Sequence, residues 1–260
     1  MPTNRKKSNP PRLLDPRNDL AFKRVFGEHK HLCMSLINSL IPLEHEVVEI
    51  EYQSGEVLPP LPELLRHSIV DVRCMDSARR QFIVEMQMKW DTFFMNRVVF
   101  NASKAYVTQL KKGQKFELLQ PVYALNLVNT IFETSPEKKD EYFHHYQIVN
   151  IKDTEKRIEG LEFVFVELPK FKPPNRAERK LHELWLQFLT GINENTENIP
   201  RELLDNELTR EAVACMEQAA YTREELARYD QHKVDIMTLR AAMNDNRAEG
   251  RAEGLSEGEA

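Results

Sequence analysis

The 260-residue chain contains little glycine, and none of its 8 glycines belongs to a motif that cradles phosphate in a glycine-rich loop. Neither GxxxxGK[ST] nor GxGxxG occurs, which argues against a P-loop NTPase and against a dinucleotide-binding fold. HExxH is absent as well, so the chain lacks the helical zinc signature of many metalloproteases. Its chemistry must therefore come from side chains placed on strands, helices or other loops.

Cysteine is equally sparse. The three cysteines, Cys33, Cys74 and Cys215, are odd in number, far apart in the sequence and surrounded by apolar residues, and none has a zinc-binding spacing. This pattern is typical of reduced thiols in the core of a cytosolic protein. A signal-peptide pattern and an apolar run of about 18 residues are also missing. We therefore expect a cytoplasmic protein with no membrane partner.

The net charge of −5 provides no overall basic field, which excludes a protein that binds nucleic acid through its overall positive charge. A nucleic-acid partner would have to bind a local basic patch. A hydrophobic content of 41% and a charged content of 30% are typical of a globular protein. The predicted elements follow the order α, α, β, β, β, α, β, β, β. This order favours an α/β (α+β) core, with a mixed central sheet flanked by helices.

A proline-rich segment, Pro169–Pro174, separates this core from a sequence that is helical in pattern. We expect four regions: a basic N-terminal tail (1–14), the core (15–168), a helical C-terminal region (169–246) and a Glu/Gly/Ala repeat tail (247–260). The basic tail is either a disordered segment or an arm that touches phosphate groups. Glycine in the repeat tail disfavours helix by about 1 kcal/mol per residue relative to alanine.

The most informative stretch runs from Ser68 to Gln87. Two apolar runs, Ile69–Met75 and Phe82–Met88, flank a polar tetrapeptide and alternate with period two, which predicts a β-hairpin. In the second run, Phe82, Val84 and Met86 share one face, whereas Ile83, Glu85 and Gln87 share the other. Polar residues thus interrupt strands that are otherwise hydrophobic.

The register of this hairpin decides whether Asp71 joins Glu85 and Gln87. A three-residue loop, Ser77–Arg79, pairs Asp76 with Arg80 and therefore Asp71 with Glu85. A two-residue loop places Asp71 opposite Val84 and divides the polar set between the two faces. We predict the three-residue loop or an equivalent bulge.

Two carboxylates and an amide carbonyl are hard oxygen ligands, which suit Mg²⁺ or Mn²⁺. The alternative is a solvent-exposed hairpin face that happens to carry Asp, Glu and Gln, and spacing alone does not exclude it. The adjacent His144 and His145 point to opposite faces of a predicted strand, which favours two separately satisfied side chains over a metal site.

A set of short motifs points to one family. Asp71, followed by the run Phe82–Gln87 and then a helix, resembles the PD-(D/E)XK nuclease superfamily. More narrowly, the chain is similar to the Rpn family of recombination-promoting nucleases and transposases. The other matching segments are Asn18–Gly27 (NDLAFKRVFG), Asn96-Arg97 at the start of the next helix, Lys112–Phe116 before the strand Pro121–Asn126, and the glycine-punctuated tail. Together they cover most of Asp15–Glu133 in the expected order.

The resemblance implies a role for each matching residue. Asp71 corresponds to the metal-bridging aspartate and Glu85 to the acid of the second motif. Gln87 stands where the superfamily usually has lysine. Asp19 matches an acidic residue on the first helix that joins the metal shell, although a carboxylate in a first helical turn also interacts favourably with the helix dipole. Arg97 matches a basic residue that meets the scissile phosphate.

Two departures from the family pattern are present. Val70 replaces the proline before the aspartate, which leaves metal ligation unaffected. Gln87 replaces a cation that positions the nucleophile and stabilises negative charge, so a second metal ion or Arg97 would have to supply that charge.

The sequence therefore predicts a Mg²⁺-dependent DNA endonuclease, with Mn²⁺ as a possible substitute, that has little sequence specificity and forms a homodimer. Candidate DNA contacts are Lys104, Lys111, Lys112, Lys115 and the N-terminal arm. The alternative is a catalytically weak or inactive DNA-binding or self-assembling module. A role in recombination, transposition or defence is not distinguished by the sequence.

Overall fold

The computed structural model describes residues 12–52, 72–87, 93–175, 179–238 and 241, and its centre is a mixed six-stranded sheet. The strands are β1 (Ile50–Tyr52), β2 (Val72–Asp76), β3 (Gln81–Gln87), β4 (Val122–Val128), β5 (Phe143–Asn150) and β6 (Asp153–Glu167). Their order across the sheet is β1-β2-β3-β4-β6-β5. β3, β4 and β6 run parallel, whereas β1–β2, β2–β3 and β5–β6 are antiparallel pairs.

Helices flank the sheet. They are α1 (Asp19–Phe22), which continues as a π-helical turn (Lys23–Gly27), α2 (Lys30–Leu40), α3 (Phe94–Val107), α4 (Leu181–Gly191), α5 (Arg201–Asp205), α6 (Glu207–Cys215) and α7 (residues 223–238). The predicted order of elements up to the end of β6 is therefore confirmed. The predicted fold class, a mixed sheet with flanking helices, is confirmed as well.

Two predicted helix boundaries were wrong. Asp15 followed by Pro16 is a pattern that predicts a helix start at Pro16. The first helix instead begins at Asp19, because the side chain of Asn18 caps it by accepting a hydrogen bond from the backbone N–H of Leu20 at 3.0 Å. Gly113, preceded by two lysines, predicts that the third helix ends there, whereas the helix ends at Val107. Gly113 has a φ of 87° and lies in a turn, a conformation that a continuing helix excludes.

The two faces of the sheet carry different hydrophobic clusters. The larger cluster contains Phe22 and Phe26 from the N-terminal helical segment and Phe82 and Val84 from β3. The smaller cluster joins Ile83 of β3 to α3 on the opposite face. Consecutive β3 residues thus alternate between the two clusters, as a strand covered on both faces requires.

The helices after Pro169 share the larger cluster with the N-terminal helices. Trp185 of α4 is fully buried, and its ring centroid lies 5.4 Å from that of Phe26. Its indole N–H donates to the hydroxyl of Ser35 on α2 at 2.9 Å. The C-terminal helices therefore cover the N-terminal helical layer and do not form a separate hydrophobic core. No helix in the described part of the chain is both long and apolar enough to cross a bilayer.

Candidate active site

The hairpin of β2 and β3 has the register that the three-residue loop predicts. Val72 pairs with Val84 and Met75 with Gln81. The backbone N–H of Asp76 donates to the carbonyl of Arg80 at 3.1 Å, which closes the loop over residues 77–79. Pairing Asp71 with Val84, the arrangement that would divide the polar set, does not occur, because Val72 holds that position. The predicted loop is thus confirmed.

The side chain of Asp76 reinforces this turn. Its Oδ1 accepts a hydrogen bond from the backbone N–H of Arg80 at 2.8 Å, and its Oδ2 lies 2.7 Å from the guanidinium Nε of the same residue. Arg79 completes the loop with a φ of 67°, in the left-handed region. A residue in that conformation is what a three-residue hairpin loop requires.

The predicted site residues lie at or beyond the end of this hairpin. Glu85 and Gln87 belong to β3 and occupy the same alternate positions as Ile83, whose side chain lies in the smaller cluster beneath α3. Asp71 directly precedes β2 but lies outside the described residues. The backbone therefore places Glu85 and Gln87 at strand positions on the α3 face of the sheet.

A polar residue that the sequence analysis did not assign lies next to these positions. Asn126 of β4 pairs in register with Glu85 and is 1% exposed. Its Nδ2 donates to the carbonyls of Ala124 at 3.1 Å and Val164 at 3.2 Å, which fixes the orientation of the amide. Its neighbours at alternate positions, Ala124 and Val128, lie in the smaller cluster, so Asn126 shares the α3 face. A lone polar residue in the apolar run VYALNLV was the sequence signal for it.

Arg97 and Asp19 lie on helices at opposite faces of the sheet. Arg97 is on α3, and its guanidinium carbon lies 5.2 Å from the centroid of the Phe94 ring, which is part of the smaller cluster. Asp19 is on α1, whose apolar residues belong to the larger cluster, and its Oδ1 lies 2.9 Å from Nζ of Lys23. The backbone thus brings the helix of Arg97, but not that of Asp19, to the face that bears the positions of Glu85 and Gln87.

The two adjacent histidines have separate partners, as predicted. His144 is buried, and its Nε2 lies 2.8 Å from Oε1 of Glu167, which also accepts a hydrogen bond from Nζ of Lys170 at 2.8 Å. His145 is half-buried, with Nε2 2.8 Å from Oε2 of Glu162. These contacts account for both imidazoles without a metal ion.

Across the described ranges, no group of three His, Cys, Asp or Glu side chains converges in a way that would hold a cation. Asp71 lies outside those ranges, and Glu85 is described by its backbone position in β3. What the structure establishes is the strand register on which a site at these residues depends.

Two of the three cysteines have the core positions that the sequence predicts. Cys33 and Cys74 are fully buried, and Cys215 is half-buried. A hydrogen bond with Cys74 and burial raise the pKa of the Cys33 thiol well above its usual value. Burial likewise raises the pKa of Cys215. Thiols with raised pKa values are poor nucleophiles, which argues against cysteine-based catalysis.

The comparisons with known proteins add one match. A family model described as PD-(D/E)XK nuclease family transposase matches residues 16–242. The matched span extends well past Pro169, so it includes the C-terminal helices that cover the N-terminal layer. No curated protein matches the chain, and no solved structure does either.

Proposed function

Because the chain belongs to the PD-(D/E)XK nuclease family transposases, we propose that it is a divalent-metal-dependent endonuclease that hydrolyses DNA phosphodiester bonds with little sequence specificity. The observation that carries the proposal is the register of β2 and β3. Continued by one pair, that register brings Asp71 opposite Glu85, on the face that carries the position of Gln87.

The donor set fits a magnesium or manganese ion. Asp71 and Glu85 supply carboxylate oxygens and Gln87 supplies an amide oxygen, all of which are hard ligands. A divalent ion bound there would polarise the phosphodiester and lower the pKa of the attacking water. The family resemblance implies a further acidic ligand at Asp19, but α1 lies on the opposite face of the sheet, so Asp19 is not proposed as a ligand of this ion.

The roles of the remaining residues follow from their chemistry. Gln87 orients the attacking water through its amide but cannot supply the positive charge of the lysine usual at this position. Arg97 is the proposed source of that charge, because α3 packs on the sheet face that bears Glu85 and Gln87. A guanidinium binds two phosphate oxygens at once, which suits it to the scissile group.

DNA binding is proposed to depend on local basic residues, since the net charge of the chain is −5. Lys111, Lys112 and Lys115 are exposed in the segment that follows α3. Lys104 lies on the last turn of α3. Contacts of this kind go to phosphates and make binding salt-dependent and largely independent of sequence.

Plasmid cleavage tests the proposal. Purified protein should nick or linearise supercoiled plasmid in Mg²⁺ and lose that activity in EDTA. Asp71→Ala and Glu85→Ala should each lower the cleavage rate by at least 100-fold, because each removes a ligand of the proposed site. Glu159→Ala, an exposed glutamate on β6, is the control and should cleave at the wild-type rate. Undiminished cleavage in both site variants would defeat the assignment.

The second candidate is a DNA-binding or self-assembling module with a degenerate nuclease site. Gln87 in place of lysine is the observation that favours it. Isothermal titration with Mn²⁺ separates the two candidates, because a working site binds the ion and loses affinity in Glu85→Ala. Absence of both metal binding and cleavage, together with retained DNA binding, would favour the second candidate. Homodimer formation, also proposed, is tested by measuring the molar mass in solution.

A further inference from the structure

The two outer strands of the sheet differ in how they are protected against pairing with another chain. β1 is three residues long, and exposed glutamates lie in it and just before it: Glu44, Glu46, Glu49 and Glu51. Short length and charge are the devices by which natural proteins block an outer strand. β5 is eight residues long, and its sequence FHHYQIVN contains no aspartate, glutamate, lysine, arginine or proline. β5 therefore has neither of the protections that β1 has.

The backbone of β5 presents a regular row of donors and acceptors at this outer edge. The carbonyl of Tyr142 accepts the backbone N–H of Glu167 at 2.7 Å, so this pair exchanges hydrogen bonds. Along an antiparallel ladder, such pairs alternate with pairs whose N–H and C=O groups point away from the partner strand. Pairing with β6 is uninterrupted from Phe143 to Gln147. The backbone groups of Phe143, His145 and Gln147 therefore point outward, and no hydrogen bond from another described segment reaches them.

The side chains along this edge suit contact with a like surface. Tyr146 and Ile148 are 46% and 41% exposed and provide apolar area. His145 and Gln147 lie 2.8 Å and 2.9 Å from Oε2 of Glu162, so the carboxylate that β6 brings to this edge already has two partners. Two copies of a chain with a net charge of −5 repel one another, and an edge strand without acidic residues keeps like charges out of the contact.

We propose that β5 pairs with β5 of a second copy of this chain, antiparallel and about a two-fold axis at His145. The inference rests on the homodimer of the proposed function and assigns its surface. With His145 on the axis, Phe143 lies opposite Gln147 of the second copy, and His145 lies opposite its own equivalent. Every outward backbone group from Phe143 to Gln147 then has a partner. A shift of two residues would place one of them opposite a residue outside the uninterrupted stretch.

Pairing of this kind stops at two copies. The two-fold axis uses both β5 edges, so the outer strands of the joined sheet are the two copies of β1, which are short and acidic. A single pair of strands is a small interface beside the roughly 800 Å² that each partner buries in a standard complex. We therefore expect a dissociation constant in the micromolar range.

Sedimentation velocity of the full chain over a concentration series tests the contact. Gln147→Pro removes an outward N–H and leaves the hydrogen bonds to β6 in place, so it should weaken dimerisation by at least about tenfold. Gln147→Ala is the matched control, because it removes the same side chain and its contact with Glu162 but keeps the backbone N–H. It should dimerise with nearly the wild-type dissociation constant.

A second pair of variants tests the edge without changing the backbone. Ile148→Lys places a charge on an exposed residue of β5 and should weaken the dimer, as lysine on an outer strand does in natural sheets. Ile158→Lys makes the same substitution at the exposed isoleucine that pairs with Ile148 on β6, one strand inside the edge, and should weaken it much less. Thermal unfolding identifies a variant that has lost its fold, and the other pair then decides the result.

Crosslinking locates the surface directly. A benzophenone amino acid in place of Tyr146 should crosslink to β5 of the second copy, as mass spectrometry of mixed isotope-labelled and unlabelled protein would show. Wild-type dimerisation in both Gln147→Pro and Ile148→Lys, or crosslinks outside β5, would overturn this surface but not the homodimer. A wild-type protein that stays monomeric throughout the series would overturn both, and plasmid cleavage tests the nuclease activity independently of either result.

Discussion

At the scale of single residues, the carboxylate of Asp76 is the group that determines the geometry of the candidate site. It is 6% exposed and holds both the backbone N–H and the side chain of Arg80, so it favours a loop of three residues over one of two. This odd loop length sets the parity of every pair along β2 and β3. A residue at the turn thereby determines which positions at the far end of the hairpin share a face.

In the proposed mechanism, catalytic efficiency depends on Gln87. Gln87→Ala should lower the rate of plasmid cleavage by roughly 100-fold, because it removes the group that orients water, and it should weaken Mn²⁺ binding much less. Gln87→Lys restores the charge usual in the superfamily and should cleave at least as fast as the wild type. Single-turnover cleavage and metal titration of both variants measure these effects. Equal rates in wild type and Gln87→Ala would exclude the proposed role.

The sequence predicted Glu85 and Gln87 correctly as residues of one strand face, since period-two alternation is a local property. It did not single out Asn126, because pairing between β3 and β4 joins segments about 40 residues apart.

At the scale of elements, the hairpin turn carries local strain. Among the described non-glycine residues, Arg79 alone has a positive φ. The left-handed conformation costs a residue other than glycine roughly 1–2 kcal/mol. The strain is tolerated because the Asp76–Arg80 contacts and the flanking strand pairs hold the turn in place.

Relief of that strain should stabilise the protein. Arg79→Gly should raise the free energy of unfolding by about 0.5–1 kcal/mol, because the gain in the turn exceeds the added entropy of the unfolded chain. Ala78→Gly, the neighbouring loop position without positive φ, should lower it by a similar amount. Urea denaturation measures both. Destabilisation by Arg79→Gly would indicate that the guanidinium, rather than the backbone, matters most to this turn.

Element order was predictable, whereas several element ends were not. Hydrophobic periodicity predicted the position of α3 but not its end at Val107, where the hydroxyl of the next residue, Thr108, donates to the carbonyl of Lys104 at 2.8 Å. The apolar run Leu161–Leu168 predicts a strand of that length, whereas β6 begins eight residues earlier, at Asp153, because antiparallel pairing with β5 extends it through polar residues. Such tertiary contacts override local preference.

At the scale of the whole molecule, the C-terminal helices are part of the main hydrophobic core. Trp185 and Phe188 of α4 are fully buried, and both pack against Phe26 of the N-terminal helical segment. The sequence suggested a boundary at Pro169 because prolines interrupt the strand pattern there. A composition change of this kind reveals a change of secondary structure, but it does not reveal which layer the later helices cover.

Truncation tests this dependence. A chain ending at residue 168 should lose cooperative unfolding, because it exposes the apolar surface of the N-terminal helices that Trp185 and its neighbours cover. A chain ending at residue 246, without the repeat tail, should unfold like the full chain. Urea denaturation followed by circular dichroism compares the three proteins. Cooperative unfolding of the shortest chain near the wild-type midpoint would show that residues 15–168 fold independently.

At the centre of the proposed function is a divalent cation held at Glu85 on the α3 face of β3. Anomalous diffraction from crystals soaked in Mn²⁺ tests it most directly, with crystals of Glu85→Gln as the comparison. One strong anomalous peak is expected between the positions of Asp71 and Glu85, and it should be lost or greatly weakened in Glu85→Gln. A strongest peak elsewhere on the molecule, unchanged in the variant, would contradict it.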